Sequence, residues 1–342
     1  MGLLSRILKE HGEYKAISIV GMAKNAGKTT ALNFLIEEAY DEGIILGITS
    51  TGRDGETVDL VTETEKPKVY LYEDTVVSVP RQLFDLAEAG LEILSTTNYR
   101  TSLGELFLCK VKDSGYVQIA GPVASADTKK MYEEMLSLGV DLVLIDGAID
   151  RKSVAAPESS DGVILSTGAV LSRDIKKVVR ETSHVVELYS LPEVEDEKLK
   201  EIIREKLSEE RILTIKEDMT YEVLDLKTGL GSGRKINEAI SQEVKYVFLP
   251  GAFTGSIMGD IDPAKFKNVE FILKDPTRIF MDSILWMQMK KRGLKVKVLK
   301  NINVCAVTVN PFAPEGYSFD SEVLRDKMQE ALPHIPVIDV RK

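Results

Sequence analysis

The segment Gly21-Met22-Ala23-Lys24-Asn25-Ala26-Gly27-Lys28-Thr29 constrains this chain more than any other, because it joins a β-branched run to a helical pattern through glycine and lysine. Ser18-Ile19-Val20 before it has the character of a buried strand. After it, Leu32, Leu35, Ile36 and Ala39 recur at helical spacing, so a helix over Thr29–Tyr40 is expected to bury one face. Gly27 lets backbone N–H groups converge without a Cβ in the way, and the helix start adds partial positive charge. Lys28 supplies a cation on a loop read as exposed, and Thr29 a hydroxyl suited to a hard divalent ion. Gly21, Met22, Ala23, Lys24, Asn25, Ala26, Gly27, Lys28, Thr29 and Thr30 are therefore expected to enclose the phosphates of a nucleotide, with Thr29 on its Mg²⁺. The competing reading is a glycine turn ahead of an ordinary helix. The strand before, the helix after and the doubled threonine favour the phosphate cradle.

A second element follows in the expected order. Asp141-Leu142-Val143-Leu144-Ile145-Asp146-Gly147 is a hydrophobic run ending in an acid. In a parallel sheet such an acid reaches the edge where the loop lies, so Asp146 is read as the second metal-side residue and, with Lys28, as catalytic. A strand-terminal Asp that merely caps a turn is the alternative. Asp54, within Thr49-Ser50-Thr51-Gly52-Arg53-Asp54-Gly55-Glu56, is the third catalytic candidate, placed to orient water or Mg²⁺; a polar glycine-rich turn explains it equally. Asp150 is a further candidate, and Gly121–Asp127 is read as a second segment sensing the outer phosphate. A phosphate cradle ignores the base. No Asn/Thr-Lys-x-Asp segment is present to read guanine, which favours ATP, and Ser166–Ala169 is the candidate for the base side.

Composition bounds the remaining classes. At 342 residues, with 44% hydrophobic content, two cores are the default expectation. The balance of 44 basic against 54 acidic residues, a net charge of -10, repels a phosphate backbone, so nucleic acid is not expected as a partner. Only Cys109 and Cys305 occur, giving neither a disulfide framework nor a zinc-ligand spacing and suiting a reducing, cytoplasmic setting. The opening residues lack the apolar core of a signal peptide and the myristoylation pattern, and no run is long enough to span a bilayer. Residues 1–12 are read as a short amphipathic helix packed on the protein rather than on a membrane. The reading leaves room for a homo-oligomer. His11, His184 and His334 show no ligand spacing, and Trp286 is expected in a core.

Along the chain, strand and helix patterns alternate, which predicts an α/β fold: a mostly parallel P-loop NTPase sheet with helices on both faces, followed by a smaller α/β domain. Strands are expected at Glu92–Ser95, Glu105–Val111, Tyr116–Ala120, Leu142–Ile145 and Gly162–Leu165. The charge-rich Glu193–Arg211 keeps Leu199, Ile202, Ile203 and Leu207 at helical spacing and is read as an exposed connecting helix. The expected division is therefore a nucleotide domain over 1–192, the connection over 193–211 and a second domain over 212–342. In that second part, the glycine-rich Gly229–Lys235 could hold an anion or simply turn, and Lys245–Thr254 and Asn310–Pro314 are loops at strand ends.

Five residues separate Gly21 from Gly27, one more than in the common P-loop, and this longer loop resembles that of dethiobiotin synthetase and related SIMIBI-class P-loop proteins. Lys24-Asn25-Ala26-Gly27-Lys28-Thr29-Thr30 also resembles the loop of the molybdopterin-guanine biosynthesis accessory GTPases. Taken with Gly2-Leu3-Leu4-Ser5-Arg6-Ile7-Leu8, Ile17–Thr29 and Thr49–Glu56, the chain resembles the KamB-like subunits of the lysine 5,6-aminomutase reactivase. That resemblance implies a MutS-like ATPase partner and an aminomutase client using pyridoxal phosphate and adenosylcobalamin, whose damaged cobalamin is exchanged in an ATP-driven cycle. An Asp-x-His-x-x-Gly cobalamin motif is missing here, so the cofactor is expected on the client. The other function classes are an ATP-dependent ligase or kinase of the dethiobiotin synthetase type and a nucleotide-dependent interaction module. A ligase would need paired Lys and Arg beside the loop, where only Lys24, Arg53 and Lys152 stand out.

Overall fold

The computed structural model describes residues 2–51, 68–122, 124–147, 160–226 and 231–341. It divides into two compact units, Met1–Thr182 with Asn303–Lys342, and Ser183–Ile302.

The first unit opens with α1 (Leu3–Glu10), which buries Leu3, Leu4 and Ile7. Its N-terminal amides are met by Glu38, whose carboxylate accepts from Leu3 N at 2.8 Å and from Leu4 N. There follow β1 (Ala16–Gly21), α2 (Lys28–Asp41), β2 (Leu46–Ser50), β3 (Val69–Leu71), β4 (Val76–Pro80), α3 (Arg81–Phe84), β5 (Gly90–Thr101), β6 (Gly104–Asp113), β7 (Gly115–Val117), α4 (Ser125–Ser137), β8 (Leu142–Asp146) and β9 (Gly162–Gly168).

Alternation along the strands decides how the layers form. Ile17, Ile19, Leu142 and Leu144 share a core cluster with Leu32, Leu35 and Ile36 of α2. Ala16, Val143 and Ile145, one residue out of phase, join Met131, Tyr132 and Met135 of α4 in another. Successive side chains of a strand point to opposite faces, so α2 and α4 cover opposite sides of β1 and β8. Each fully buried Leu or Ile contributes about 1.5–3 kcal/mol, enough for these residues to dock α2 regardless of its propensity.

The second unit holds the C-terminal part of α5 (Ile175–Tyr189), then α6 (Glu197–Lys206), β10 (Ile212–Lys216), β11 (Tyr221–Leu224), α7 (Ser232–Ala239), β12 (Val244–Leu249), β13 (Phe253–Thr254), α8 (Gly255–Gly259), β14 (Glu270–Leu273), β15 (Ile279–Phe280), α9 (Ser283–Lys291) and β16 (Lys295–Val298). Its five-stranded sheet runs β11-β10-β12-β14-β16, with β12, β14 and β16 parallel. Glu193–Arg211, expected as an exposed connection, belongs to this core instead. Asp196 caps α6 by accepting from Leu199 N at 3.0 Å, and Leu199 and Ile203 pack with Leu213, Ile215 and Phe248. Trp286 is buried here, as expected from the sequence.

The chain then returns to the first unit as β17 (Val304–Asn310), α10 (Ser321–Ala331) and β18 (Val337–Asp339). The expected division, with 212–342 as one second domain, is therefore corrected. β17 is a nearly all-buried run that pairs in parallel with β9 from Val304↔Val163 to Asn310↔Gly168, and β18 pairs with β17. The resulting nine-stranded sheet has the order β18-β17-β9-β1-β8-β2-β4-β6-β5. Its run from β18 to β4 is parallel, whereas β6 lies antiparallel to β4 and β5. Only residues 102–103 separate β5 from β6, too few for a crossover, so the expected strands around Glu92 and Glu105 form a hairpin. Tyr116–Ala120 is shortened to β7, which pairs with β3 in a sheet of their own. Among the described residues, no helix is long and apolar enough to cross a membrane.

Candidate functional site

β1 is the point where the sheet changes direction. Its connection through α2 leads toward β2, whereas β9 on its other side adjoins β17, and α/β sheets bind ligands outside the carboxyl ends of strands at such points. Residues 22–27 lie at this edge. Asn25 (φ 64°) and Gly27 (φ 94°) are both left-handed, which reverses the chain tightly and turns it into α2. Met22 N donates to Ser166 O at 2.9 Å, anchoring the loop on β9, and Ala26 N donates to Ala23 O at 3.3 Å. Gly27 is the N-cap of α2 and offers no side chain to its amides; no acid sits in the first turn. The first amides of a helix have no carbonyl of their own to bond, so this end presents N–H groups and partial positive charge.

Lys28 Nζ lies 2.7 Å from Asp146 Oδ1 and also donates to the Gly147 carbonyl. Strand pairing forces this meeting: in parallel register β8 sets Asp146 opposite Ile19 of β1 and opposite Ser50 of β2. Thr51 N donates to the Asp146 carbonyl at 3.1 Å, and Gly147 N to the Ile19 carbonyl at 3.0 Å, so the acid is held between two strand tips. The side chains are 13% and 18% exposed, which corrects the reading of Lys28 as an exposed loop lysine. A lysine beginning a helix turns inward here because a carboxylate of the adjacent strand is within reach.

The sequence-predicted residues Gly21, Met22, Ala23, Lys24, Asn25, Ala26, Gly27, Lys28, Thr29 and Thr30 form one continuous strand-loop-helix, and Asp146 joins them at this edge. Asp54, Asp150, Arg53 and Lys152 lie outside the described residues, as do Gly229 and Leu230 of the glycine-rich segment. Gly121 reaches the same edge: a Cβ there would stand 1.7 Å from Ser50 O, so only glycine allows this approach to the end of β2. Ser166–Ala169 ends β9 beside the loop, with Ser166 Oγ accepting from Thr308 Oγ1 at 2.9 Å. The histidines are structural where their contacts are seen. His11 stacks on Tyr14 at 4.6 Å, and the buried His184 ring lies 3.1 Å from Met281 O.

Asn310 is the participant that sequence reading missed. Its Nδ2 donates to Asn25 O at 3.1 Å and its Oδ1 accepts from Phe312 N at 3.2 Å. A Cβ on Gly27 would meet Asn310 Cβ at 3.0 Å, so the side chain backs the loop closely. No local signal marks it, since the partner lies 285 residues away.

Fold and site together define an α/β protein whose large, mostly parallel sheet carries a glycine-lysine loop at its carboxyl edge. No family model, curated protein or solved structure matches the chain.

Proposed function

We propose that residues 21–30 bind the phosphates of ATP, and that the chain works as a nucleotide-driven accessory protein. The observation that carries this reading is the Lys28–Asp146 contact of 2.7 Å beneath a loop turned by Gly27 at φ 94°. A cation and an acid, from a helix start and a neighbouring parallel strand, converge where amides face outward. Lys28 would exchange its carboxylate partner for the outer phosphates, which offer more negative charge. Asp146, released, and Thr29 would then supply oxygen ligands to Mg²⁺, a set that suits an ion held mostly by phosphates and water. Mg²⁺ would neutralise the phosphate charge. Asn310 and Ser166 would keep the loop in its receptive shape before the nucleotide arrives.

The accessory role rests on the resemblance of Gly2–Leu8, Ile17–Thr29 and Thr49–Glu56 to reactivase subunits. In that role a MutS-like ATPase subunit and this chain would exchange damaged cobalamin on a pyridoxal-phosphate- and cobalamin-dependent aminomutase. A nucleotide shifts a protein between two conformations only by its differential affinity for them, and loop contacts that change partner on binding supply such a difference.

Calorimetric titration of the full chain with ATP and Mg²⁺ tests the site. Saturable binding that is lost in Lys28→Ala supports it; equal affinity in that variant removes the assignment. The role is tested by mixing inactivated aminomutase, the ATPase subunit, ATP, Mg²⁺ and fresh adenosylcobalamin. Recovery that requires this chain supports the accessory role, and recovery indifferent to it overturns that role while leaving the nucleotide site standing.

A further inference from the structure

At the far end of α2 from its glycine loop, the first unit carries a cavity of about 170 Å³ lined by Ile36, Tyr40, Ile44, Tyr72, Glu73 and Asp74, among others. Its aromatic wall is extended. Tyr40 and Tyr72 stack with ring centroids 4.2 Å apart and planes 15° from parallel. Tyr70 meets Tyr72 edge-on at 5.3 Å, and Tyr116, its cross-strand partner, meets Tyr70 edge-on at 5.2 Å. Tyr40, Tyr70 and Tyr116 are exposed, an unusual concentration of ring surface left to solvent.

Acids outnumber bases around these rings, where the cations near the lining acids are Lys110 and Lys112. The last turn of α2 carries no basic residue, although a helix C-terminus favours cations. Glu37, Glu38, Asp41 and Glu42 stand there instead. Glu38 and Glu42 are engaged in holding the start of α1, which leaves Glu37 and Asp41 on the side of Tyr72. Burial first, then the fields of Glu37 and other neighbours including Asp41, holds the Tyr72 phenol above its ordinary range. Of the acids lining the cavity, Asp74 is matched by Lys110 at 2.7 Å, whereas Glu73 has no ion-pair partner among the described residues.

Negative ring faces, the negative end of a helix and unmatched carboxylates are each complementary to positive charge. Size narrows the occupant. Sites for drug-sized ligands run to about 300–1,000 Å³, so this one admits a single compact group. We propose that the cavity binds an organic cation, an ammonium or guanidinium on a short alkyl stem, either as a free amine or as a Lys or Arg side chain of a protein partner. Rings provide the cation–π surface, Glu73 the counter-charge, and Ile36 and Ile44 the apolar bed for the stem. The proposal does not depend on the nucleotide reading.

The test titrates the full chain with butylammonium and butylguanidinium, with n-butanol as the neutral control, following tyrosine ring resonances by NMR. Both cations are expected to bind with a dissociation constant on the order of millimolar, and butanol at least about tenfold more weakly. Tyr40→Leu and Tyr72→Leu should each weaken cation binding about tenfold, while Tyr40→Phe and Tyr72→Phe retain it, because the ring and not the hydroxyl supplies the attraction. The Phe variants keep the test valid if a Leu variant fails to fold. A peptide with one arginine, compared with its citrulline form, separates the sources: peptide binding tighter than free butylguanidinium assigns a partner side chain, and equal binding assigns the small amine. Butanol binding as well as the cations, or Leu variants that fold and bind unchanged, overturns the proposal.

Discussion

Asn310, at the end of β17, donates through Nδ2 to the carbonyl of Asn25 at 3.1 Å, tying the last long strand of the sheet to the glycine loop near the start of the chain. The same side chain accepts from Phe312 N, so two backbone segments are held by one buried amide. Asn310→Ala removes both bonds, at about 1–3 kcal/mol in total. Under the proposed function the loop then loses its backing, and ATP affinity should fall about tenfold. Asn310→Asp keeps the bond from Phe312 but turns a carboxylate oxygen on the Asn25 carbonyl and adds negative charge beside the loop, so its affinity should fall at least as far as that of Asn310→Ala. Calorimetry and thermal melts check this; wild-type affinity in Asn310→Ala would show that the loop holds its shape alone.

Lys28 and Asp146 should behave as a coupled pair. Removing the ammonium takes a cation away from a carboxylate that is only 18% exposed, and the expected cost of Lys28→Ala is about 1–2 kcal/mol, between that of surface and buried pairs. Asp146→Asn placed in that background should recover part of the loss, because less buried negative charge then lacks the lysine's compensation. A denaturant double-mutant cycle measures the coupling. Strictly additive losses would mean that the contact contributes nothing in solution.

Gly27→Ala combines two penalties. A φ of 94° costs an L-residue about 1–2 kcal/mol, and the added methyl stands 3.0 Å from Asn310 Cβ. The melting temperature should drop by several degrees and nucleotide affinity by tenfold or more. Combining it with Asn310→Gly, which removes that Cβ, should be less than additive, since the crowding term vanishes with the contact. A fully additive pair would locate the whole cost in the backbone angle.

Alkaline pH should destabilise the folded chain. Burial pushes the thiols of Cys109 and Cys305 from 9.0 to about 12, and the phenols of Tyr14 and Tyr189 from 10.0 to about 12. These folded values lie above the unfolded ones, so the contribution is complete below pH 9 for the thiols and is lost as pH rises toward 12. Melting temperature should therefore decline steadily across that window. At pH 8 a thiol reagent should leave both cysteines unmodified in the native chain and label both after denaturation. Rapid labelling of the native protein would contradict this burial.

The strand, glycine turn and helix over Ala16–Asp41 were legible in the sequence because each depends on neighbours: β-branched residues in the strand, glycine at a left-handed turn, apolar residues at helical spacing. The α/β class followed from the same local periodicities. Partnership between distant strands left no such mark. Asp146 was placed at the loop's edge by its position after an apolar run, but its contact with Lys28 depends on β8 lying beside β1. That Asn310 would brace Asn25 depends on Val304–Asn310 rejoining the first sheet after the whole of Ser183–Ile302. The run at β17 is apolar throughout, as any doubly covered strand would be, and its composition does not say which sheet it joins. Local patterns determined the elements and the loop; only non-local packing decided which side chains stand behind it.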